Sequence, residues 1–182
     1  AFVRAPEKLR GSDGALTIVR GDPLNFDELR DAMPGHDAVL SALGAPGPGR
    51  TTILGDAATV TVKAMQSASV SRLLLVSVAV LFRHIGFTAA ILRRTLLRNI
   101  AVDAAAMERT VAASDLDWTI VRPPRLTNGA LTTRYRVDDG RMPAGTLVVS
   151  RADVAHFLLD ELEDNRHVRA IVGMAGMERS TP

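Results

Sequence analysis

Short apolar runs alternate with longer mixed patterns along this chain. The short runs are rich in Val, Leu and Ile and predict strands at 1–3, 16–19, 38–43, 72–77, 118–121 and 170–173. The longer segments place apolar residues three and four positions apart and predict helices over 51–69, 85–97 and 102–113. Because the two kinds of segment alternate, the pattern predicts βαβ units around a parallel sheet.

Polar pairs three residues apart mark two further helix starts. Asn25 with Glu28, and Ser150 with Asp153, each have the spacing of a capping box before an apolar stretch. The glycine-rich stretch 128–146 predicts irregular or hairpin structure at the edge of the sheet.

Composition narrows the class of protein. With 182 residues, 47% of them hydrophobic, residues 1–182 are expected to form a single domain. The chain has no cysteine and only four scattered histidines, so we expect no disulfides, no metal site and a reducing, cytoplasmic setting.

The net charge and the length of the apolar runs argue against a membrane or nucleic-acid partner. The longest apolar run, 73–82, is about half of a bilayer crossing, so we expect no membrane span. A formal charge of +2, with acids and bases interleaved, argues against a nucleic-acid partner. One basic concentration is either a solvated helix face or an anion or membrane-surface site: Arg83, Arg93, Arg94 and Arg98.

The residues that follow the predicted strands suggest a nucleotide site. Strand ends of a parallel sheet lie along one edge, and ligands of open α/β sheets bind there. The residues that would meet at this edge are Arg4, Gly21–Asp22, Gly44, Ser77 and the run Pro123, Pro124 and Arg125.

The proline run is either one wall of a cofactor or substrate crevice or an ordinary strand exit, and three of the other residues also have a plainer interpretation. In dinucleotide folds an arginine after the second strand accommodates the 2′-phosphate of NADP. If 1–3 is the second strand of such a fold, Arg4, with Lys8 nearby, favours NADP over NAD; otherwise Arg4 is simply a surface charge. Asp22 either accepts a hydrogen bond from the adenine amino group or opens a helix with Pro23. Gly44 either lets the backbone approach a sugar or pyrophosphate or belongs to a flexible loop.

No glycine-rich phosphate-binding turn opens a helix in the sequence. If the site is a dinucleotide site, we expect the first strand, its glycine turn and its helix to lie upstream of Ala1.

Several motifs in the same order resemble a known family. The segments 2–9, 21–22, 37–44 and 117–125 are similar to the NAD(P)H-binding family of atypical short-chain dehydrogenases, which includes flavin reductase/biliverdin-IXβ reductase and NmrA-like proteins. The resemblance implies a Rossmann-like doubly wound parallel sheet that lacks its first strand and helix here. It also implies NADP contacts from Arg4, Asp22, Pro23, Leu43, Gly44, Leu54, Val76, Ser77, Pro123, Pro124 and Arg125.

The chain departs from the usual chemistry of short-chain dehydrogenases. Its one tyrosine, Tyr135, has Asp139 where the Tyr-x-x-x-Lys dyad needs lysine, and the only lysines are Lys8 and Lys63. Related proteins often carry a serine where Val78 stands. The remaining candidates for a proton donor are Ser77, Arg125 and His84, and Ser77 is our catalytic candidate.

Two functions are compatible with this sequence. The first is an NADPH-dependent reductase for a flat acceptor such as a flavin or quinone, acting as a monomer or homodimer, with the acceptor bound near Ser77, Val78, Ala79, Pro124 and Arg125. The alternative is an NADP(H)-sensing binding protein without turnover, which the sparse acid–base inventory favours.

Overall fold

The computed structural model describes residues 1–9, 16–45, 47, 49–82 and 97–177. Within these residues the chain forms nine strands and four α-helices. The strands are β1 (Phe2–Val3), β2 (Val19–Arg20), β3 (Ala38–Ser41), β4 (Arg72–Val76), β5 (Asp117–Arg122), β6 (Arg125–Thr127), β7 (Tyr135–Asp139), β8 (Val148–Ser150) and β9 (Ala170–Gly176). The helices are α1 (Phe26–Asp31), α2 (Ile53–Ser67), α3 (Arg98–Ala112) and α4 (Arg151–Asp164).

A five-stranded sheet with the order β3-β4-β5-β9-β7 is the centre of the molecule. Its first four strands are parallel, and β7 pairs antiparallel with β9 at one edge. The predicted doubly wound parallel architecture of a Rossmann-like fold is therefore confirmed. The edge position expected for part of 128–146 is also found, because β7 falls within that range.

Two shorter parallel pairs accompany the main sheet. β1 pairs with β2, and β6 pairs with β8. Within the described residues, neither pair is hydrogen-bonded to the main sheet as a continuous ladder. The parallel arrangement is thus divided between β1–β2 and the sheet that begins at β3.

Two apolar layers cover the two faces of the main sheet. Leu73 and Leu75 of β4 pack with Ile120 of β5 against α2 and α3. Alternate residues point the other way, so that Leu74 and Val121 pack against α4. Strands that are buried on both faces read as continuous apolar runs, which explains why β4 was recognisable from sequence.

The helix starts differ in detail from the predicted capping boxes. Asn25 Oδ1 accepts hydrogen bonds from the amides of Asp27 and Glu28, as a cap should. Glu28, however, accepts from the backbone amide of Asp22 and from the side-chain amide of Asn25, and not from the backbone amide of Asn25. Ser150 Oγ accepts from the amide of Asp153, while the Asp153 carboxylate binds Ser150 Oγ and the segment around Thr132.

Several predicted boundaries are wrong. The second strand is Val19–Arg20, so it begins after residues 16–18, which are exposed. The strand predicted at 38–43 ends at Ser41, and the last strand continues from 173 to Gly176. Helix α3 begins at Arg98, earlier than predicted. The helix predicted over 85–97 lies almost entirely outside the described residues.

No helix among the described residues combines the length and hydropathy needed to cross a membrane.

Candidate functional site

The carboxyl ends of β3, β4 and β5 form one edge of the main sheet. These strands are adjacent and parallel, with Ser41 beside Leu75 and Val76 beside Val121. The chain leaves them at Gly44, Ser77 and Pro123, so three of the five sequence-predicted strand ends meet along one edge. This is the place where open α/β sheets bind ligands.

The loop after β3 supplies an open backbone surface. Leu43 is half-buried and packs against the core on the α2–α3 side. Gly44 is exposed, and a Cβ built on it would meet no atom within 4 Å. The structure therefore leaves room beside Gly44 for a ligand group, and it equally leaves room for a side chain.

The loop after β4 is tied to the end of β5 by backbone hydrogen bonds. The amide of Ser77 donates to the carbonyl of Val121 at 2.8 Å, and the amide of Ala79 donates to the carbonyl of Pro123 at 3.0 Å. Val76 and Val78 are half-buried on opposite faces of the sheet. The residues predicted on these two loops are thus neighbours in space.

Ser77 is part of a buried polar cluster. Its hydroxyl donates a hydrogen bond to Glu108 Oε1 at 2.5 Å. Arg122 donates to the same carboxylate, from Nε to Oε1 at 3.0 Å and from Nη2 to Oε2 at 2.5 Å. The Arg122 guanidinium lies 4.7 Å from the centre of the Phe82 ring. Ser77 and Glu108 are each 6% exposed.

The proline pair continues this edge into β6. Pro123 is buried and Pro124 half-buried, while Arg125 is the exposed first residue of β6. The amide of Arg125 donates to the carbonyl of Leu147 next to β8. Arg125 therefore lies three residues beyond the carboxyl end of β5 with its side chain directed to the surface.

The residues predicted to bind the adenosine end surround the β1–β2 pair. Arg4 and Lys8 are exposed on the chain that follows β1, and Gly21 donates its amide to Val3 as β2 ends. Asp22 is exposed and accepts the amide of Leu24 on Oδ1 at 3.0 Å, which is the bonding expected of a residue that opens a helix. Pro23 is half-buried.

Leu54 lies in the core near the start of α2. Its side chain is 4% exposed and packs among the α2–α3 layer. The amides of Leu54 and Gly55 donate to the two oxygens of the buried Asp103 side chain at 3.1 and 3.0 Å. The start of α2 is therefore already neutralised by a carboxylate of the chain itself.

Glu108 and Arg122 were missed by sequence reasoning. A glutamate in a helix rich in polar residues is normally solvated, and an arginine before proline is an ordinary strand end. The detectable signal is spacing: Glu108 lies four residues after buried Ala104 and three before buried Val111, on the apolar face of α3. A charged residue in such a position requires a partner.

Tyr135 lies away from this edge, on the β7 side of the sheet. Its hydroxyl is 2.8 Å from His156 Nδ1. Burial, with a further contribution from Asp160, raises the pKa of Tyr135 to about 12. The phenol therefore stays protonated at neutral pH. His84, one of the three candidate proton donors, and the basic residues Arg83, Arg93 and Arg94 lie outside the described residues.

An open depression of about 410 Å³ is found beside β6 and β8. Its walls include Thr127, Arg134, Thr146 and Met177. None of the residues predicted from sequence to bind a cofactor contributes to these walls.

Comparison with solved structures shows the same architecture. A Rossmann-fold NAD(P)-binding family protein from Shigella flexneri is 26% identical over 100% of this chain and 82% of its own, with a TM-score of 0.73. A short-chain dehydrogenase/reductase from Veillonella parvula, solved in complex with NADP, is 19% identical over 99% of this chain and 82% of its own, with a TM-score of 0.81. An oxidoreductase from Lactococcus lactis is 17% identical over 97% of this chain and 80% of its own, with a TM-score of 0.78.

The family model described as NAD(P)H-binding matches residues 1–165, nearly the whole chain. The resemblance suggested by the motifs is therefore confirmed, and the chain belongs to the NAD(P)H-binding family.

Proposed function

We propose that this protein is an NADPH-dependent reductase that transfers a hydride to a flat conjugated acceptor such as a flavin or quinone. The observation that carries the proposal is the meeting of the β3, β4 and β5 ends at Gly44, Ser77 and Pro123, in a chain of the NAD(P)H-binding family. This edge is the expected place of the nicotinamide, because ligands of open α/β sheets bind outside the carboxyl ends of the strands.

The residues present fit two parts of a dinucleotide. Exposed cations Arg4 and Lys8 follow β1, where an adenosine 2′-phosphate would be bound. The wall made by Val78, Ala79 and Pro124 carries no charge, which suits a flat ring. Within the described residues, the start of α2 is unsuited to the pyrophosphate because Asp103 occupies its amides.

Hydride chemistry would be supplied by the bound NADPH. The protein would hold the two rings together and exclude water, which is the main requirement for transfer between stacked conjugated systems. In this chain the loop after β4 and the proline pair would form the wall. The proton needed by the reduced acceptor would come from solvent, since Tyr135 has the wrong neighbour for the dehydrogenase dyad.

The preference for NADPH is proposed from Arg4, together with Lys8. Arg4→Glu should raise the Kd for NADPH about ten-fold, because it replaces a charge-assisted contact with repulsion, and should change the Kd for NADH by less than about three-fold. Arg136→Glu, at an exposed arginine of β7, is the matched control and should alter neither. Equal loss of NADPH and NADH affinity in Arg4→Glu would contradict the assignment of the 2′-phosphate to this residue.

Turnover is tested by following NADPH oxidation with FMN, FAD and a water-miscible quinone as acceptors. We expect consumption of NADPH that depends on protein and acceptor concentration. If calorimetry showed that NADPH binds but none of the acceptors caused NADPH to be oxidised, the proposed reductase activity would be wrong.

That last result is the outcome expected of the second candidate, an NADP(H)-sensing binding protein. The observation that favours it is the engagement of the Ser77 hydroxyl by Glu108, which leaves few groups free for acid–base work. A sensor requires a partner whose affinity differs between the NADP-bound and the free protein. Equal affinity of a purified partner for the two forms would exclude this role.

A further inference from the structure

Three polar side chains meet within the α2–α3 layer, which also contains the buried Asp103. We call the set of Ser77, Glu108 and Arg122 the edge clamp. Ser77 follows β4, Glu108 belongs to α3, and Arg122 is the last residue of β5. On the same face of these strands, the preceding residues, such as Leu75 and Ile120, are buried and apolar. The clamp therefore marks the point where the core ends and the ligand edge begins.

Stability alone is a poor explanation for this cluster. The Arg122 and Glu108 side chains are 13% and 7% exposed, so both charges are largely removed from water. Replacement of buried ion pairs by apolar residues of similar volume is often neutral or stabilising. An ion pair at the edge that faces the proposed cofactor suggests that it is retained for geometry.

The clamp determines what the Ser77 hydroxyl can do. Arg122 donates to both oxygens of Glu108 as a fork, which is the bidentate arrangement of a guanidinium with a carboxylate. A carboxylate only accepts, so the single hydroxyl hydrogen of Ser77 is donated to Glu108. Ser77 can then only accept a hydrogen bond from a ligand and has no proton to deliver.

The clamp also fixes the backbone of the loop. The amides of Ser77 and Ala79 are bound to the carbonyls of Val121 and Pro123. The side-chain bond from Ser77 through Glu108 to Arg122 closes a second connection between the same two segments. The loop after β4 and the end of β5 are thus held as one rigid wall.

We infer that Glu108 and Arg122 are positioning residues that hold this wall against the nicotinamide end of the dinucleotide, with Ser77 as a hydrogen-bond acceptor toward a ligand donor such as a carboxamide or a ribose hydroxyl. The inference rests on the proposed NADPH site. It gives roles to Glu108 and Arg122 that the motifs of the sequence did not suggest.

The test compares two probes that differ at one end of the dinucleotide. NADPH reaches both ends of the proposed site, whereas 2′,5′-ADP carries only the adenosine end. Glu108→Gln should raise the Kd for NADPH about ten-fold and leave the Kd for 2′,5′-ADP within about two-fold, because only the wall near the nicotinamide is disturbed. Glu163→Gln, at an exposed glutamate of α4, is the control and should change neither.

A double variant separates positioning from folding. Glu108→Leu with Arg122→Met removes both buried charges, so the protein should remain folded with a melting temperature close to that of the wild type. It should still bind NADPH about ten-fold more weakly, with 2′,5′-ADP binding retained. Wild-type NADPH affinity in this folded variant would overturn the positioning role.

Kinetics distinguish an acceptor from a proton donor at Ser77. Ser77→Ala should raise KM for NADPH several-fold and lower kcat by less than about ten-fold. Loss of a general acid would instead reduce kcat by about 10²- to 10⁴-fold, and that result would overturn the inference.

The two binding probes also separate a failure of the proposed function from a failure of the inference. If wild-type protein bound neither NADPH nor 2′,5′-ADP, the proposed function itself would fail and the inference with it. Parallel weakening of both probes in Glu108→Gln would overturn the clamp alone.

Discussion

Single carboxylates in this chain take their properties from the groups that surround them. Asp153 is 3% exposed and accepts hydrogen bonds from the amides of Thr132 and Thr133 and from the hydroxyls of Thr132 and Ser150. Burial by itself would raise the pKa of Asp153, but the hydrogen bonds together outweigh it and lower the pKa below the ordinary 3.8. The carboxylate thereby fixes the segment before β7 to the start of α4.

The lowered pKa of Asp153 makes stability depend on pH in a definite direction. A group with a lower pKa in the folded state binds fewer protons there, so its contribution to stability is complete above the ordinary pKa of 3.8 and is lost as the pH falls through the folded value. We expect the urea-derived free energy of unfolding to decline below about pH 4 in the wild type. Asp153→Asn should be less stable by about 2 kcal/mol at neutral pH and should lack this part of the decline.

Asp115→Asn, at an exposed aspartate, is the matched control and should follow the wild-type pH curve. A decline of the same depth in Asp153→Asn and the wild type would show that other carboxylates cause it.

Glu108 illustrates what residue patterns left undecided. The sequence predicted Ser77 and Pro123 as site residues because strand ends have a local signature, but the partner of Ser77 lies 31 residues away on a helix. Such a pairing depends on how α3 is rotated against the sheet. The one signal of this pairing in the sequence is a charged residue, Glu108, on the apolar face of α3.

At the scale of elements, strand β9 needs a glycine at 173 because the backbone of residues 141–142 packs directly against it. A Cβ on Gly173 would lie 2.1 Å from the carbonyl oxygen of Arg141 and 3.0 Å from Cα of Met142. Both contacts are with main-chain atoms, which cannot move aside as a flexible side chain would. Glycine in the interior of a strand often marks such an approach.

Gly173→Ala should therefore lower the free energy of unfolding by about 3 kcal/mol, since overpacking of a rigid site forces the backbone to shift. Gly49→Ala, where a Cβ would meet nothing within 4 Å, should stay within about 0.5 kcal/mol of the wild type. The measurement is urea denaturation of both variants. If Gly173→Ala and Gly49→Ala had similar free energies of unfolding, the backbone at 141–142 would be able to move away from position 173 without destabilising the protein.

The predictability of each element follows from the range of its interactions. Strand β4 and helix α2 were recognisable because their own residues carry a buried run and a helical period. Strands β6 and β8 have three residues each and exist because they pair with each other, so no local pattern revealed them. Residues 16–18 have strand composition but belong to no strand in the described part of the chain, so the predicted strand was wrong there.

At the scale of the whole molecule, two buried arginine–glutamate pairs lie at opposite ends of the main sheet. Arg122 and Glu108 occupy the carboxyl ends of the strands. Arg72, the first residue of β4, is bound at 3.0 Å by Glu161 of α4, whose side chain is 1% exposed. Burial lowers the pKa of Arg72, and the Glu161 carboxylate acts against that shift. Both pairs are buried, yet only the first lies at the proposed ligand edge.

This arrangement predicts that the same Glu→Gln substitution affects NADPH binding differently at the two pairs. Glu161→Gln leaves the Arg72 charge buried without its counter-charge and weakens the bonds that Glu161 receives from the amide and Nδ1 of His167. We expect the free energy of unfolding to fall by about 3 kcal/mol, measured by urea denaturation, while the Kd for NADPH stays within about two-fold of the wild type. Glu108→Gln should instead weaken NADPH binding about ten-fold. If Glu161→Gln weakened NADPH binding as much as Glu108→Gln does, the two ends of the sheet would not act separately, and the assignment of ligand binding to the carboxyl edge would lose its support.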